Sequence, residues 1–207
     1  GPTLRAAAAK GIPCVLQEQN SYAGITNKWL ARYARRIFVA YEGMERFFPE
    51  NAIRFTGNPV RQELTKALPP QRDARRSLRL NPEAKTLLVL GGSLGARSIN
   101  QLIERELEFF SELGFQVLWQ CGKGYWEQYE KYTSDQVQVK PFINDMGAAF
   151  ASADLVISRA GAGSVSELCL VGKPVLFIPS PNVAEDHQRK NAAAIVSKQA
   201  AVMLLES

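Results

Sequence analysis

Two short glycine-bearing stretches hold the residues best suited to chemistry. Gly91-Gly-Ser-Leu-Gly-Ala-Arg97 follows the apolar run Thr86 to Leu90, and Gly161-Ala-Gly-Ser164 follows Asp154 to Ser158. Glycine lets the chain turn tightly and leaves its amides uncovered, and the first turn of a helix adds unpaired N–H groups and a partial positive charge. Two such turns at one sheet edge are suited to the phosphates of a nucleotide. Ser93 adds a hydroxyl that can bond a phosphate oxygen. Two readings of Glu167 stay open. With Ser164 it has the S-x-x-E spacing of a capping box, reaching back to the Ser164 amide, and at the mouth of the loop it can accept hydrogen bonds from the vicinal hydroxyls of a ribose.

Other chemistries find less support. The spacing G-G-S-x-G departs from G-x-G-x-x-G, and the next strand ends in Gln120-Cys-Gly-Lys123 without the acid that holds an adenosine ribose, which disfavours a dehydrogenase. The P-loop ending G-K-[ST] is absent. Beyond Glu185-Asp186 no cluster of carboxylates offers itself to a divalent ion, and the one histidine, His187, opens a helix as a first-turn polar residue. No metal and no cofactor are therefore expected, and a diphosphate must be neutralised by helix ends and cationic side chains. Gln188 and Asn191, close on one helix face, can bond a sugar's hydroxyls or simply face solvent. Cys14, Cys121 and Cys169 are odd in number and far apart, which disfavours a disulfide framework or zinc cluster and favours a reducing cytoplasm.

The elements that must position these residues follow from hydrophobic periodicity. From Lys85 onward, strands are expected at Thr86 to Leu90, Gln116 to Trp119, Val137 to Val139, Asp154 to Ser158, Val175 to Ile178 and Ala201 to Leu205. Helices are expected between them at Ala96 to Phe110, Tyr125 to Lys131, Asp145 to Ala151, Ser164 to Leu170 and Asp186 to Lys198. That alternation predicts a parallel, doubly wound α/β sheet. Before it, Thr3 to Lys10 reads as a helix, Pro13 to Gln17 as a strand and Glu18 to Gly24 as a polar loop. Asn27 to Arg36 reads as a basic amphipathic helix, Ile37 to Ala40 and Ile53 to Thr56 as strands, and Leu68-Pro-Pro-Gln-Arg-Asp73 as a linker. The arginines at 72, 75, 76 and 79 read mainly as a solvated face. An alanine-rich helix leading directly onto a buried strand suggests a chain that starts part-way through a domain.

Charge is uneven. Residues 1–61 hold nine Lys or Arg against four Glu, an excess of five, while the remainder holds sixteen of each sign. The basic excess suits anionic lipid or a pyrophosphate, although a solvated face is the commoner meaning of such an imbalance. Nucleic acid is not expected, because aromatics are not interleaved with the basic residues as stacking platforms are.

With these residues placed, the sequence resembles the MurG family of N-acetylglucosaminyltransferases, which make lipid II in peptidoglycan synthesis. The resemblance runs over essentially the whole chain and is carried by Glu18-Gln-Asn20 with Ala23-Gly-Ile-Thr-Asn27, Gly57-Asn-Pro-Val-Arg61, Gly91-Gly-Ser93 with Gly95-Ala96, Phe142-Ile-Asn-Asp-Met146, Ser158-Arg-Ala-Gly161 through Glu167, and Asp186-His-Gln188 with Asn191. It implies a GT-B-type glycosyltransferase fold of two Rossmann-like doubly wound parallel-sheet domains. The first, ending near residue 62, is only partly present; the second spans 63–207 and lacks its last helices.

The resemblance further implies UDP-N-acetylglucosamine as donor and lipid I, a polyprenyl-pyrophosphate sugar, as acceptor. An anionic membrane surface would meet the first domain, at the cytoplasmic face of the bacterial plasma membrane. Ala162, Gly163, Ser164, Val165, Ser166 and Glu167 would embrace diphosphate and ribose, Ser93 would meet the phosphates, and Ile143 would present its backbone to the uracil. Gln188 would hold the sugar, while Asn20 and Arg61 would close the site. For Ile143 the alternative is a core residue, and for Arg61 a surface charge. Glu18 is the visible candidate for the base of an inverting, metal-independent transfer, although the family's glycine-rich loop with its proposed catalytic histidine has no counterpart here. This chain alone is expected to bind nucleotide weakly and to turn over poorly. A related transferase with a soluble acceptor and a non-catalytic nucleotide-binding module remain as alternatives.

Overall fold

A computed structural model describes residues 1–206 and contains two parallel sheets. The smaller belongs to the first 61 residues. Helix α1 (Pro2–Ala9) leads into β1 (Val15–Glu18), then α2 (Ile25–Leu30), β2 (Arg36–Val39) and β3 (Ile53–Phe55), with strand order β1-β2-β3. Alternate residues of β1 and β2 point inward, so Leu16, Ile37 and Val39 form a core with Leu30, Met44 and Phe48. The basic helix expected to reach Arg36 stops earlier. A single 3-10 turn, Ala31–Tyr33, follows α2, Ala34 is extended, and Arg36 already pairs with Val15 in the sheet. Helical spacing of Trp29, Leu30 and Tyr33 could not reveal that the next residues are claimed by sheet pairing.

The larger sheet runs from residue 85 to residue 203. It is entered through α3 (Gln71–Ser77), and its strands β4 (Lys85–Leu90), β5 (Phe115–Gln120), β6 (Val137–Lys140), β7 (Leu155–Ser158), β8 (Val175–Phe177) and β9 (Val202–Met203) alternate with α4 (Arg97–Glu112), α5 (Trp126–Tyr129), α6 (Met146–Ser152), α7 (Ala162–Val171) and α8 (His187–Val196). The strand order is β6-β5-β4-β7-β8-β9, all parallel. β4 and β5 are buried along almost their whole length, as expected of strands covered on both faces. One core packs Leu88, Leu118, Phe150, Val156 and Leu168 on one face; Val89, Ile103, Trp119, Tyr129 and Ile157 fill the other.

Two expectations for the segment before this sheet need correcting. The linker composition of residues 68–73 hides the start of a helix: Gln71 opens α3, whose Ala74 packs against Ala148 and Ala151 of α6, and the Gln71 side chain donates to Ala153 O and Asp154 Oδ1. Nor is the arginine cluster all solvated. Arg75 is buried, donating to Ser152 O at 3.1 Å, Pro82 O at 3.0 Å and Asp154 Oδ2 at 2.6 Å, while the same carboxylate oxygen accepts the Thr86 amide. That partner lies 79 residues away in sequence, beyond any local pattern.

Candidate nucleotide-binding cleft

The order of the larger sheet reverses between β4 and β7, and in open α/β sheets ligands bind outside the carboxyl ends of strands at such a point. Both glycine-bearing turns sit there. A cleft of about 330 Å³ is lined by Gly92 and Ser93 after β4, by Gly161, Ala162, Gly163 and Ser164 after β7, and by Arg61 and Glu167. Leu90, Phe142, Met146, Phe150 and Leu168 form its apolar part. The two turns use glycine differently. At Gly95 φ is +82°, and a β-carbon would lie 2.1 Å from Cys121 O; at Gly91 one would lie 2.6 Å from the Ala96 nitrogen, so that turn needs glycine in order to close. A β-carbon on Gly161 or Gly163 would meet nothing within 4 Å. There, glycine leaves open space in front of the helix start.

Helix α7 begins earlier than the capping-box spacing suggests. Gly161, with φ −63° and ψ 149°, is the N-cap, so Ala162, Gly163 and Ser164 are the first three helical residues, and the first intrahelical bond runs from Val165 N to Gly161 O. The amides of residues 162–164 precede that bond and are the ones a helix leaves unsatisfied. No side chain caps this end. Glu167 is thus freed from the capping role, and its Oε2 lies 3.1 Å from Arg61 Nη1, bridging the two sheet units across the cleft mouth. Glu167 is largely enclosed, whereas Arg61 is exposed.

The remaining expected site residues divide sharply. Val165 is in the core and its amide is spent within α7. The Ser166 hydroxyl donates to Ala162 O and accepts from Asn58 Nδ2, so it joins the units. Ile143 packs in the core, and its amide donates to Gln120 Oε1 at 2.8 Å. Gln188 accepts the Ala160 and Ser180 amides on Oε1 and lines a neighbouring cavity with Gly91, Gly95 and Arg97. His187 Nδ1 lies 2.7 Å from Ala184 O in the first turn of its helix.

On the smaller unit the loop after β1 is held from within. Glu18, only 2% exposed, accepts the Asn20 amide (3.0 Å) and Asn20 Nδ2 (3.3 Å) on one oxygen, and the Gly24 amide (3.0 Å) and Asn27 Nδ2 (2.9 Å) on the other. A general base needs a lone pair within reach of the proton it abstracts. With both oxygens committed to four N–H donors and the group enclosed, Glu18 holds the loop, and the expectation that it serves as base is corrected. Asn191 departs from both of its expected roles. It is fully buried, accepts the Ser21 amide at 2.9 Å and donates to Asn20 Oδ1 at 3.0 Å and Ala160 O at 3.4 Å, locking α8 to that loop. The signal available in sequence was its polar character alone; its partners lie 170 and 171 residues away on one side. Among the described residues no group of three or more His, Cys, Asp or Glu side chains could hold a metal ion.

Two parallel doubly wound sheets, with a cleft at the reversal point of the larger, match the GT-B glycosyltransferase fold. The architecture matches the crystal structure of Acinetobacter baumannii MurG with a TM-score of 0.76 and 32% identity, covering 99% of this chain and 56% of that one. The chain belongs to glycosyltransferase family 28, whose C-terminal domain matches residues 86–207. Curated relatives from Parabacteroides distasonis and Bacteroides fragilis strain YCH46 are 56% and 55% identical over the whole of this chain. Both are named "UDP-N-acetylglucosamine--N-acetylmuramyl-(pentapeptide) pyrophosphoryl-undecaprenol N-acetylglucosamine transferase". The chain spans 57% and 56% of their lengths.

Proposed function

We propose that the protein of which this chain is part transfers N-acetylglucosamine from UDP-N-acetylglucosamine to the 4-hydroxyl of the N-acetylmuramyl-pentapeptide carried on undecaprenyl pyrophosphate. The observation that carries this reading is the convergence of the Gly92-Ser93 turn and the start of α7 on one cleft, with Glu167 at its mouth. In the proposed reaction the acceptor oxygen attacks the anomeric carbon from the face opposite the diphosphate. The bond to the diphosphate oxygen breaks with inversion, the hydroxyl proton passes to a general base, and UDP leaves. The negative charge that builds on the leaving group is met by the amides of residues 162–164 and the positive end of α7, an arrangement that supplies several kcal/mol where such donors are preorganised. No metal is required by this scheme. Glu167 binds the ribose hydroxyls and Arg61 the phosphates, exchanging their mutual ion pair for ligand contacts.

The acceptor approaches the smaller unit. Its basic excess, with Trp29 and Ile25 exposed and Arg5 and Arg32 set over the Trp29 ring, suits a peripheral position on the anionic cytoplasmic leaflet, and no helix among the described residues is long and apolar enough to cross a membrane. Co-sedimentation with phosphatidylglycerol vesicles, but not with phosphatidylcholine vesicles, is the expected result. Calorimetric titration tests the donor site. UDP and UDP-N-acetylglucosamine should bind equally with and without magnesium, and Glu167→Ala should weaken both by about tenfold, the loss of a charged hydrogen-bond acceptor. Unchanged affinity in that variant would remove Glu167 from the site.

A further inference from the structure

Gln120 is the residue of the larger unit that the nucleotide reading leaves unused. It ends β5, in register with Leu90 at the end of β4 and with Lys140 at the end of β6. One neighbour therefore leads into the Gly91–Ser93 turn, the other into Phe142–Ile143. The side chain is 5% exposed and lines the cleft. Its two ends are engaged in different directions: Nε2 donates to Gly92 O at 3.0 Å, and Oε1 accepts the Ile143 amide at 2.8 Å. These partners fix the orientation of the amide, since the carbonyl of Gly92 can only accept and the N–H of Ile143 can only donate. Gly92 has φ +84°, a conformation with little intrinsic preference for one carbonyl direction, and its carbonyl is also held by the Gly95 amide at 3.2 Å.

We infer that Gln120 is a positioning residue that sets the span between the phosphate-facing turn and the segment at Phe142–Ile143, and so makes the two ends of the cleft act together on a nucleoside diphosphate. The inference rests on the proposed function, and takes the Gly92-Ser93 turn as the phosphate end of the cleft and Phe142, which lines the same cleft, as the side chain the base meets. A ligand that touches both ends gains from a fixed separation, because the cost of ordering them has been met before binding. A fragment that touches one end gains nothing from it. Gln120 therefore matters for UDP and is indifferent to uridine alone or inorganic pyrophosphate alone.

The test compares three ligands on wild type, Gln120→Glu and Gln120→Leu, by calorimetry for UDP and NMR titration for uridine and pyrophosphate, with a thermal melt of each variant. Gln120→Glu keeps an acceptor for the Ile143 amide but cannot donate to Gly92 O; Gln120→Leu loses both. The inference predicts a UDP affinity more than about tenfold weaker in the Leu variant, with uridine and pyrophosphate changed by less than about threefold; the Glu variant, whose carboxylate adds a negative charge beside the phosphate-facing turn, should weaken UDP and pyrophosphate while leaving uridine within about threefold. It is overturned if wild type binds UDP and either variant keeps full affinity, or if all three ligands weaken in parallel with the melting temperature, as a purely structural role requires. Absence of UDP binding in wild type would overturn the nucleotide reading itself, and this inference with it.

Discussion

The two sides of the cleft are built on opposite plans. On the larger unit the side chains are buried and the backbone is offered: Val165 and Leu168 anchor α7 in the core while the amides of residues 162–164 open onto the cleft. On the smaller unit the polar side chains are the structure. Glu18 and Asn20 spend their hydrogen bonds on the loop itself and on α8, and Asn58 reaches α7 through Nδ2, its Oδ1 being buried without a partner among the described residues. One side is made to bind and the other to set how the halves meet, with Arg61 and Glu167 pairing the two plans at the cleft mouth. A buried polar group that is fully satisfied fixes one geometry, whereas one left half satisfied is costly.

The largest expected effect lies in the support of the larger unit. Asp154→Ala leaves Arg75 buried without its counter-charge and the Thr86 amide without an acceptor, and should cost about 3–5 kcal/mol in urea denaturation. A loss below about 1 kcal/mol would mean the pair is not part of the frame. Next comes the seam. Asn191→Leu strands the Ser21 amide and Asn20 Oδ1 and should cost about 1–3 kcal/mol, with hydrogen exchange accelerating at Ser21. Unaltered exchange there would mean the two plans are not joined through Asn191.

Smaller again, Glu18→Gln keeps the side chain's size but replaces a four-fold acceptor with a group that must also place two donors. Exchange at Asn20 and Gly24 should quicken while UDP affinity stays within about threefold of wild type, and a collapse of UDP binding would contradict the division of labour.

The smallest effect is at Tyr41, whose buried hydroxyl has no partner and whose burial pushes its pKa up to about 12. The folded pKa lies above the ordinary value of 10.0, so both states are protonated below about pH 10, and the stability present there is lost as pH rises toward 12. Tyr41→Phe should be neutral or slightly stabilising at pH 7 and should flatten that alkaline loss, read as Tm against pH.

What could be read from the sequence follows from how local each cause is. The nine strands were legible because alternation or unbroken apolar runs carry them, and the two glycine turns because strand, turn and helix are consecutive. The start of α7 was misread since S-x-x-E can cap only if Ser164 precedes the helix, whereas Gly161 is the N-cap and Ser164 is already the third helical residue. Asn191 and Arg75 were given other roles, and Gln120 none. Their partners are brought near by the packing of distant elements, and a lone Asn, Arg or Gln looks the same in sequence whether it faces water or spans a seam. A polar residue ending the apolar run Val117-Leu-Trp119, as Gln120 does, was the one sign available.

The central claim is that peptide nitrogens from two separate turns gather around one uridine diphosphate. Titration of the ¹⁵N-labelled protein with UDP, followed by amide shifts, tests it directly. The amides of Gly92, Ser93, Ala162, Gly163 and Ser164 should move together along one binding curve. Shifts confined to one turn, or centred on a different face of the molecule, would contradict it.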